Sequence, residues 1–375
     1  MMDSRNSDAG DNQPAVLKVI DLYALQNGIK EQKTLLFEAA ITDGFFYLDL
    51  SHSSFRGILD SVDTVLDLST IIFNHDDETK RLFDVDLISS MKTNGYKPKG
   101  RNIVSKDGAR DGFESWALPR NGLLRLTEEP FPHTPSVAAR MQSLGFLLRG
   151  LGNAAQTIFK SLSNTLSLEP GQRFEDFHDP SRPSTDILRL LKYHSTVTPI
   201  SEGASPQTPH TDLGSLTFVF SATPGLQVLP HTSAAGQKPG APQDSDWVFV
   251  PPRQNCAVVN FGDCMTMLTS GLIKSALHRV APPPGMAMDE RFSFAYLMRP
   301  EDDTLLRPVE SPLILRTSSS SEDSLSEYVT SREWVLRKFH ALRGASGSAP
   351  GTDTMNNEVP AHTDQVLTGG RAIIV

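Results

Sequence analysis

Only two of the 375 residues are cysteine, Cys256 and Cys264, so no disulfide framework can hold this chain together and a reducing setting is expected. Positive charge is also in short supply. Against 44 Asp and Glu stand 35 Lys and Arg, giving a net charge of −9, with no basic block dense enough to follow a phosphate backbone. Nucleic acid is therefore not an expected partner. No apolar run approaches the ~20 residues of a membrane span. The opening MMDSRNSDAGDNQPAV is polar and acidic where a secretory leader would be basic and then apolar. A soluble, cytoplasmic protein with no membrane partner is the expectation, and no internal repeat of fixed period is visible. What is present is 38% hydrophobic residues, enough for a substantial core in one large domain or two ordinary ones.

The patterning divides the chain into four stretches. Residues 1–14 read as a flexible polar lead. Between 15 and 133, LKVIDLYAL (17–25) reads as a strand and KEQKTLLFEAAITDG (30–44) as a helix with Leu35, Leu36, Ala39 and Ala40 on one side. GFFYLDLSH (44–52) follows as a second strand, then helical sequence over about 54–83 with a fresh start at 75–78. Residues 91–133 look loop-rich. From 134 to 343 a long helical stripe comes first, carrying Val137, Met141, Leu144, Leu148, Leu151, Ala155, Ile158, Phe159 and Leu162 at intervals of three and four. Six short strand-like runs follow over about 186–300, ILRLLKYH to RFSFAYLM, and both cysteines fall in runs that read as strand. Their spacing points to an antiparallel sandwich or barrel. The long helical stripe needs a partner, and this sheet is the obvious one. A Gly/Pro/Ser-rich insertion covers 231–246, a helix is expected around 324–342, and 344–375 reads as a disordered tail.

Chemistry concentrates in PHTDLGSLTFVF. His210 and Asp212, two apart at the head of an expected strand, would point to the same face and converge on one ion. His278, in SALHRVAPPPG, can supply a third ligand from another strand of the sheet. Two imidazoles and a carboxylate suit Fe(II) with open positions for oxygen chemistry, and zinc accepts the same donors. Further on, Arg291 and Ser293 in DERFSFAYL alternate on one strand face, a guanidinium fork and a hydroxyl suited to a carboxylate. Tyr193 in LRLLKYH can reach the same anion from a neighbouring strand.

The ordered set His-Thr-Asp, His, Arg-Phe-Ser resembles the 2-oxoglutarate/Fe(II)-dependent oxygenases of the isopenicillin N synthase-like family, and VIDLYALQNG with DGFFYLDLSH is similar to that family's amino-terminal region. The resemblance implies an α+β fold with a double-stranded β-helix (jelly-roll) core and flanking helices, the long one packed on the sheet. It implies Fe(II) on His210, Asp212 and His278, and 2-oxoglutarate on Arg291 and Ser293 with Tyr193 in contact. It also implies O2-dependent oxidation of a small organic substrate by hydroxylation, desaturation or ring closure, in specialised metabolism. At one point the sequence departs from the family: Leu-Lys-Tyr-His stands at 191–194 where Asn-Tyr-Tyr-Pro is common. Three other readings stay open: an oxidase of the same fold that uses no 2-oxoglutarate, a zinc hydrolase, and a non-catalytic jelly-roll binding protein.

Taken singly, each of these residues has an ordinary explanation. A lone His-x-Asp recurs by chance, and the chain supplies its own control in His362 and Asp364, which sit in the polar tail with no histidine downstream. His278 alone would be a surface or core imidazole, and Arg291 alone a solvated strand residue. Their co-occurrence in order, in strand-like sequence, is what carries weight. His52, His75, His133, His178, His194, His231 and His340 have no carboxylate at matching spacing in a strand frame and are read as structural or surface groups.

Overall fold

The structure is a computed structural model that describes residues 14–102, 110–197, 206–231, 244–283, 285–314 and 328–344. The expected flexible lead, most of the 231–246 insertion and nearly all of the tail lie outside the described residues. Twelve strands are described: β1 (Val19–Asp21), β2 (Phe45–Asp49), β3 (Gly95–Lys97), β4 (Phe113–Pro119), β5 (Ile187–Tyr193), β6 (Gln207–His210), β7 (Leu216–Ser221), β8 (Leu226–Val228), β9 (Val248–Phe249), β10 (Cys256–Phe261), β11 (His278–Val280) and β12 (Arg291–Met298). They form an eight-stranded sheet, β1-β2-β10-β7-β12-β5-β4-β3, and a four-stranded sheet, β6-β11-β8-β9. Every pair is antiparallel except β1 with β2.

Strand alternation divides the large sheet into two faces. On one, Leu188, Leu190, Phe294, Tyr296, Phe218, Trp116 and Leu118 join a continuous apolar core with the helices. Helix Arg56–Phe73 lies directly against β12 and β5, and the long helix Met141–Thr165 packs on it and on helix Lys30–Thr42. Leu144, Leu148, Leu151, Ala155, Ile158, Phe159 and Leu162 of the expected stripe are all buried there. The other face turns toward the small sheet. Phe45, Tyr47 and Val258 meet Leu226, Val228 and Ala276 at one end, and Tyr193, Leu191 and Ala295 meet Val280 at the other. This sandwich of two sheets is the expected jelly roll, and the space between them is where the polar residues gather.

Four local expectations need correction. The 17–25 run is not one strand: it breaks after Asp21, whose carboxylate accepts from the Ala24 amide at 3.0 Å and caps the short helix Leu22–Gln26. The loop-rich reading of 91–133 missed β3 and β4. Phe113–Pro119 pairs along its whole length with β5, and six of its seven residues are buried, so the partner strand overrode a Gly- and Pro-flanked sequence. Cys264 lies in helix Asp263–Leu268 rather than in a strand, and Cys256 is only half-buried; both are free thiols. The long stripe breaks between the Pro135–Ala138 turn and Met141. The helix break expected at 75–78 is present, with Asp76 capping Asp77–Leu82 through the Thr79 amide at 2.7 Å.

Candidate metal and co-substrate site

His210 ends β6 and His278 begins β11, and the two residues face each other across that antiparallel pair, ring centroids 4.3 Å apart. Asp212 is not on a strand, contrary to the expectation that it shares one with His210. It lies in the connection from β6 to β7, and tertiary contacts hold it in place. The Asp263 amide donates to the Asp212 carbonyl at 2.8 Å, and the Cys264 amide to that of Gly214 at 3.0 Å. Gly262 permits this approach, because a Cβ there would sit 2.3 Å from the Gly214 carbonyl oxygen and 2.7 Å from that of Asp212. The result is that His210 Nε2 and His278 Nε2 each lie 3.9 Å from Asp212 Oδ1. One ligand atom from each of the three residues falls within 4.8 Å of the others, close enough for a single ion to bridge them.

The protonation pattern suits a metal. His210 Nδ1 donates to the Thr208 carbonyl at 2.9 Å and His278 Nδ1 to that of Ala276 at 3.2 Å, so both imidazoles turn an Nε2 lone pair toward Asp212. Burial, reinforced by the neighbouring His278, pushes the His210 imidazole down to about 4, which keeps it neutral. Burial pulls the Asp212 carboxyl upward, but the two histidines and hydrogen bonds from Asn260 and Thr217 outweigh it and hold the group below its ordinary value. Asn260 Nδ2 donates to Asp212 Oδ2 at 2.8 Å, leaving Oδ1 for the ion. Two neutral nitrogen donors and one carboxylate oxygen form a set that accepts Fe(II).

The opposite wall comes from the large sheet. Arg291 and Ser293 share a face of β12, and Tyr193 of β5 lies directly across from Arg291. All three are buried. The guanidinium stands 5.2 Å over the Tyr193 ring, and its Nη1 donates to Ser293 Oγ at 2.8 Å. Its Nε is buried without a hydrogen-bond partner, and among the described residues no carboxylate answers the charge. Burial accordingly pulls its pKa down, opposed only by Tyr193. Beside it Gly225 has φ +131, and a Cβ there would press to 3.2 Å from Arg291 Cδ. A buried, uncompensated guanidinium next to a hydroxyl is a fitted receptor for a carboxylate.

Three residues of this cavity escaped the sequence reading. Gln207 takes the Tyr193 hydroxyl on its Oε1 and donates to His210 Nε2 at 3.3 Å, linking the two walls. Nothing in its local sequence marks it. Asn260 did leave a signal, a lone amide in the apolar run CAVVNF. Arg189, on the same face of β5 as Tyr193, left a similar one in ILRLLKY. The remaining described histidines pair as expected of structural groups: His52 stacks on Tyr23 at 3.6 Å, His194 meets Glu114 at 3.1 Å, and His178 bonds to Phe174 O and Ser215. The side chain of His340, like His362 and Asp364, lies outside the described residues.

Comparison with known proteins agrees with this geometry. The family model of the 2OG-Fe(II) oxygenase superfamily matches residues 186–300, from the start of β5 to just past β12. A 2-oxoglutarate-dependent dioxygenase, frbH of Dothideomycetidae sp. (strain 11243), is 30% identical over 362 residues, covering 95% of this chain and 96% of the relative. The chain belongs to the 2OG-Fe(II) oxygenase superfamily. The 2-oxoglutarate-dependent dioxygenase gloE of Glarea lozoyensis is 29% identical over 340 residues, 90% of this chain and 91% of that one. Among solved structures, a full-length Neurospora crassa protein crystallised in complex with alpha-KG superposes with a TM-score of 0.66 at 21% identity, covering 90% of this chain and 100% of that one, a likeness of fold. As a member of this superfamily the protein is an Fe(II)- and 2-oxoglutarate-dependent dioxygenase, an oxidoreductase that acts on a small molecule. No helix among the described residues is long and apolar enough to cross a membrane.

Proposed function

We propose that His210, Asp212 and His278 hold the iron, that Arg291 and Ser293 bind the distal carboxylate of 2-oxoglutarate, and that the enzyme oxidises a small organic molecule of specialised metabolism. Fe(II) held by these three residues would supply the chemistry of O2 activation, with O2 as the oxidant and 2-oxoglutarate as the co-reductant that ends as succinate and CO2. The chain's own residues do the positioning. Asn260 fixes the Asp212 carboxylate, and the Thr208 and Ala276 carbonyls fix the two imidazole tautomers. Arg291 contributes the charge and Ser293 a hydroxyl that, already accepting from Arg291, has its own hydrogen to donate to the acid. Tyr193 supports the guanidinium from below and gives its hydroxyl proton to Gln207. Because Asp212 fills the carboxylate position, no site is left for a halide, which favours hydroxylation, desaturation or ring closure over halogenation.

One observation carries this reading: the uncompensated Arg291 guanidinium stands on Tyr193, whose hydroxyl bonds to Gln207, which in turn reaches His210 of the three-ligand cluster. A zinc hydrolase would have no use for it. The test is anaerobic addition of Fe(II) and 2-oxoglutarate to the purified protein, followed by absorption spectroscopy. The weak visible band of an Fe(II)–2-oxo acid chelate is expected to appear only when both are present. Its absence with stoichiometric iron bound would remove 2-oxoglutarate from the site, and turnover under an inert atmosphere would point to hydrolysis instead.

A further inference from the structure

A second arginine, only partly exposed, stands on the same sheet face, and neither the metal nor the co-substrate accounts for it. Registers across the sheet put Arg189 of β5 opposite Ala295 of β12 on one side and Ala117 of β4 on the other. This is the face that carries Tyr193, Leu191, Arg291 and Ser293, not the face packed on helices. Alanine on both sides leaves the long side chain room and offers it no hydrogen-bond partner. Arg189 Nε is buried without a partner, and no carboxylate among the described residues forms an ion pair with it. Burial, with Arg299 nearby, pulls the guanidinium down to about 10 against the opposing fields of Asp212 and Tyr193. A guanidinium whose Nε is buried without a partner is costly, so a fold that keeps one has a use for it.

The metal and co-substrate charges balance without Arg189: an iron dication, the Asp212 carboxylate, dianionic 2-oxoglutarate and Arg291 sum to neutrality, and Lys97 is paired with Asp111 at 2.7 Å. Level with Arg189 on this face stand Leu191, Ala295 and Leu297, with Val219 on the next strand, an apolar wall. Resting on the site reading above, we propose that Arg189 is the substrate-recognition residue of this enzyme and that the substrate is a small organic acid, an apolar body bearing a carboxylate that pairs with Arg189 while the body lies on the Leu191–Ala295–Leu297 wall.

The test uses the full chain loaded anaerobically with Fe(II) and saturating 2-oxoglutarate, so that Arg291 is occupied. Calorimetric titration follows with matched probes: phenylacetate against phenylacetamide, and hexanoate against hexanamide. At least one acid is expected to bind about tenfold or more tighter than its amide, as charge-assisted hydrogen bonds to a partly buried guanidinium dictate. Arg189→Gln is expected to erase that preference, with 2-oxoglutarate affinity and melting temperature unchanged, and Arg189→Lys to restore part of it. Equal binding of acid and amide by the parent, or a preference that survives Arg189→Gln, overturns the proposal. So does a loss of 2-oxoglutarate affinity in Arg189→Gln, which would reassign the residue to the co-substrate. The 2-oxoglutarate titration of the parent comes first, and its failure would bring down the site reading and this one together, distinguishably from a failure at the probe stage alone.

Discussion

Two groups of inward-placed arginine in this molecule behave differently. At the helix side of the sheet, Arg120 donates to the Arg182 carbonyl at 2.9 Å, to Ser184 Oγ at 3.1 Å and to the Pro180 carbonyl, with Asp186 at 3.9 Å. Asp186 in turn accepts from the Tyr296 hydroxyl at 3.0 Å and the Arg299 amide at 2.7 Å. Arg120, Asp186 and Arg299 line a cavity of about 320 Å³, and there the Asp186 carboxylate and the backbone carbonyls of Pro180, Arg182 and Thr185 answer most of the guanidinium charge, Arg299 Nε alone lacking a partner. Between the two sheets, Arg291 has only Ser293 and the face of a tyrosine, and Arg189 has no partner among the described residues. A structural arginine carries its counter-charges in its own neighbourhood, whereas a ligand-binding one leaves them to be supplied. Volume alone would have pointed to the wrong side of the sheet.

The comparison can be broken by mutation. The largest effect is expected at the ligands themselves: Asp212→Ala should reduce bound Fe(II) to background and abolish turnover while circular dichroism stays that of the parent. Full turnover by this variant would refute the metal assignment. Next, Arg120→Met should cost about 3 to 5 kcal/mol in urea unfolding, because it strands the buried Asp186 carboxylate, with 2-oxoglutarate affinity untouched. A weakened co-substrate affinity there would erase the distinction between the two groups. Arg291→Ala should do the reverse, lowering 2-oxoglutarate affinity by about a hundredfold through loss of charge-assisted bonds while iron binding and melting temperature hold. If the melting temperature falls and the affinity does not, Arg291 is structural after all.

The smallest effect concerns pH. His178 is buried on the helix side, stacked on Phe159 at 4.2 Å, with Nδ1 donating to Phe174 O at 2.6 Å and Nε2 bonded to Ser215 Oγ at 2.8 Å. Burial depresses its pKa from 6.5 to about 4. Between those values the unfolded chain binds the proton that the folded one refuses, so stability present above pH 6.5 drains away as pH falls toward 4. Between pH 7 and pH 5 the loss from this group should be roughly 2 kcal/mol. His178→Gln is expected to be less stable at pH 7 but to lose less on acidification, as denaturant titrations at the two pH values would show. An acid sensitivity equal to the parent's would assign the effect to other groups.

The residues of the proposed site were legible because their types are restrictive. Imidazole, carboxylate and guanidinium in the order His210, Asp212, His278, Arg291 admit few uses, and strand alternation correctly put Ser293 beside Arg291. The strand β4 was illegible, since its stability comes from pairing with β5 and not from its own pattern. Asp212 does come together with His210 and His278, but no two-residue strand spacing holds it there; the Gly262–Cys264 backbone does.

The sequence by itself determined which atoms can bind iron and an acid, because donor chemistry belongs to the residue. It determined the two-sheet architecture too, because short alternating strands can bury their apolar faces in few ways. Only the tertiary structure decided which polar groups remain unanswered. Whether Arg120, Arg189 or Arg291 has a counter-charge depends on what the fold brings within a few ångströms of it from distant parts of the chain, and no local pattern encodes that distance.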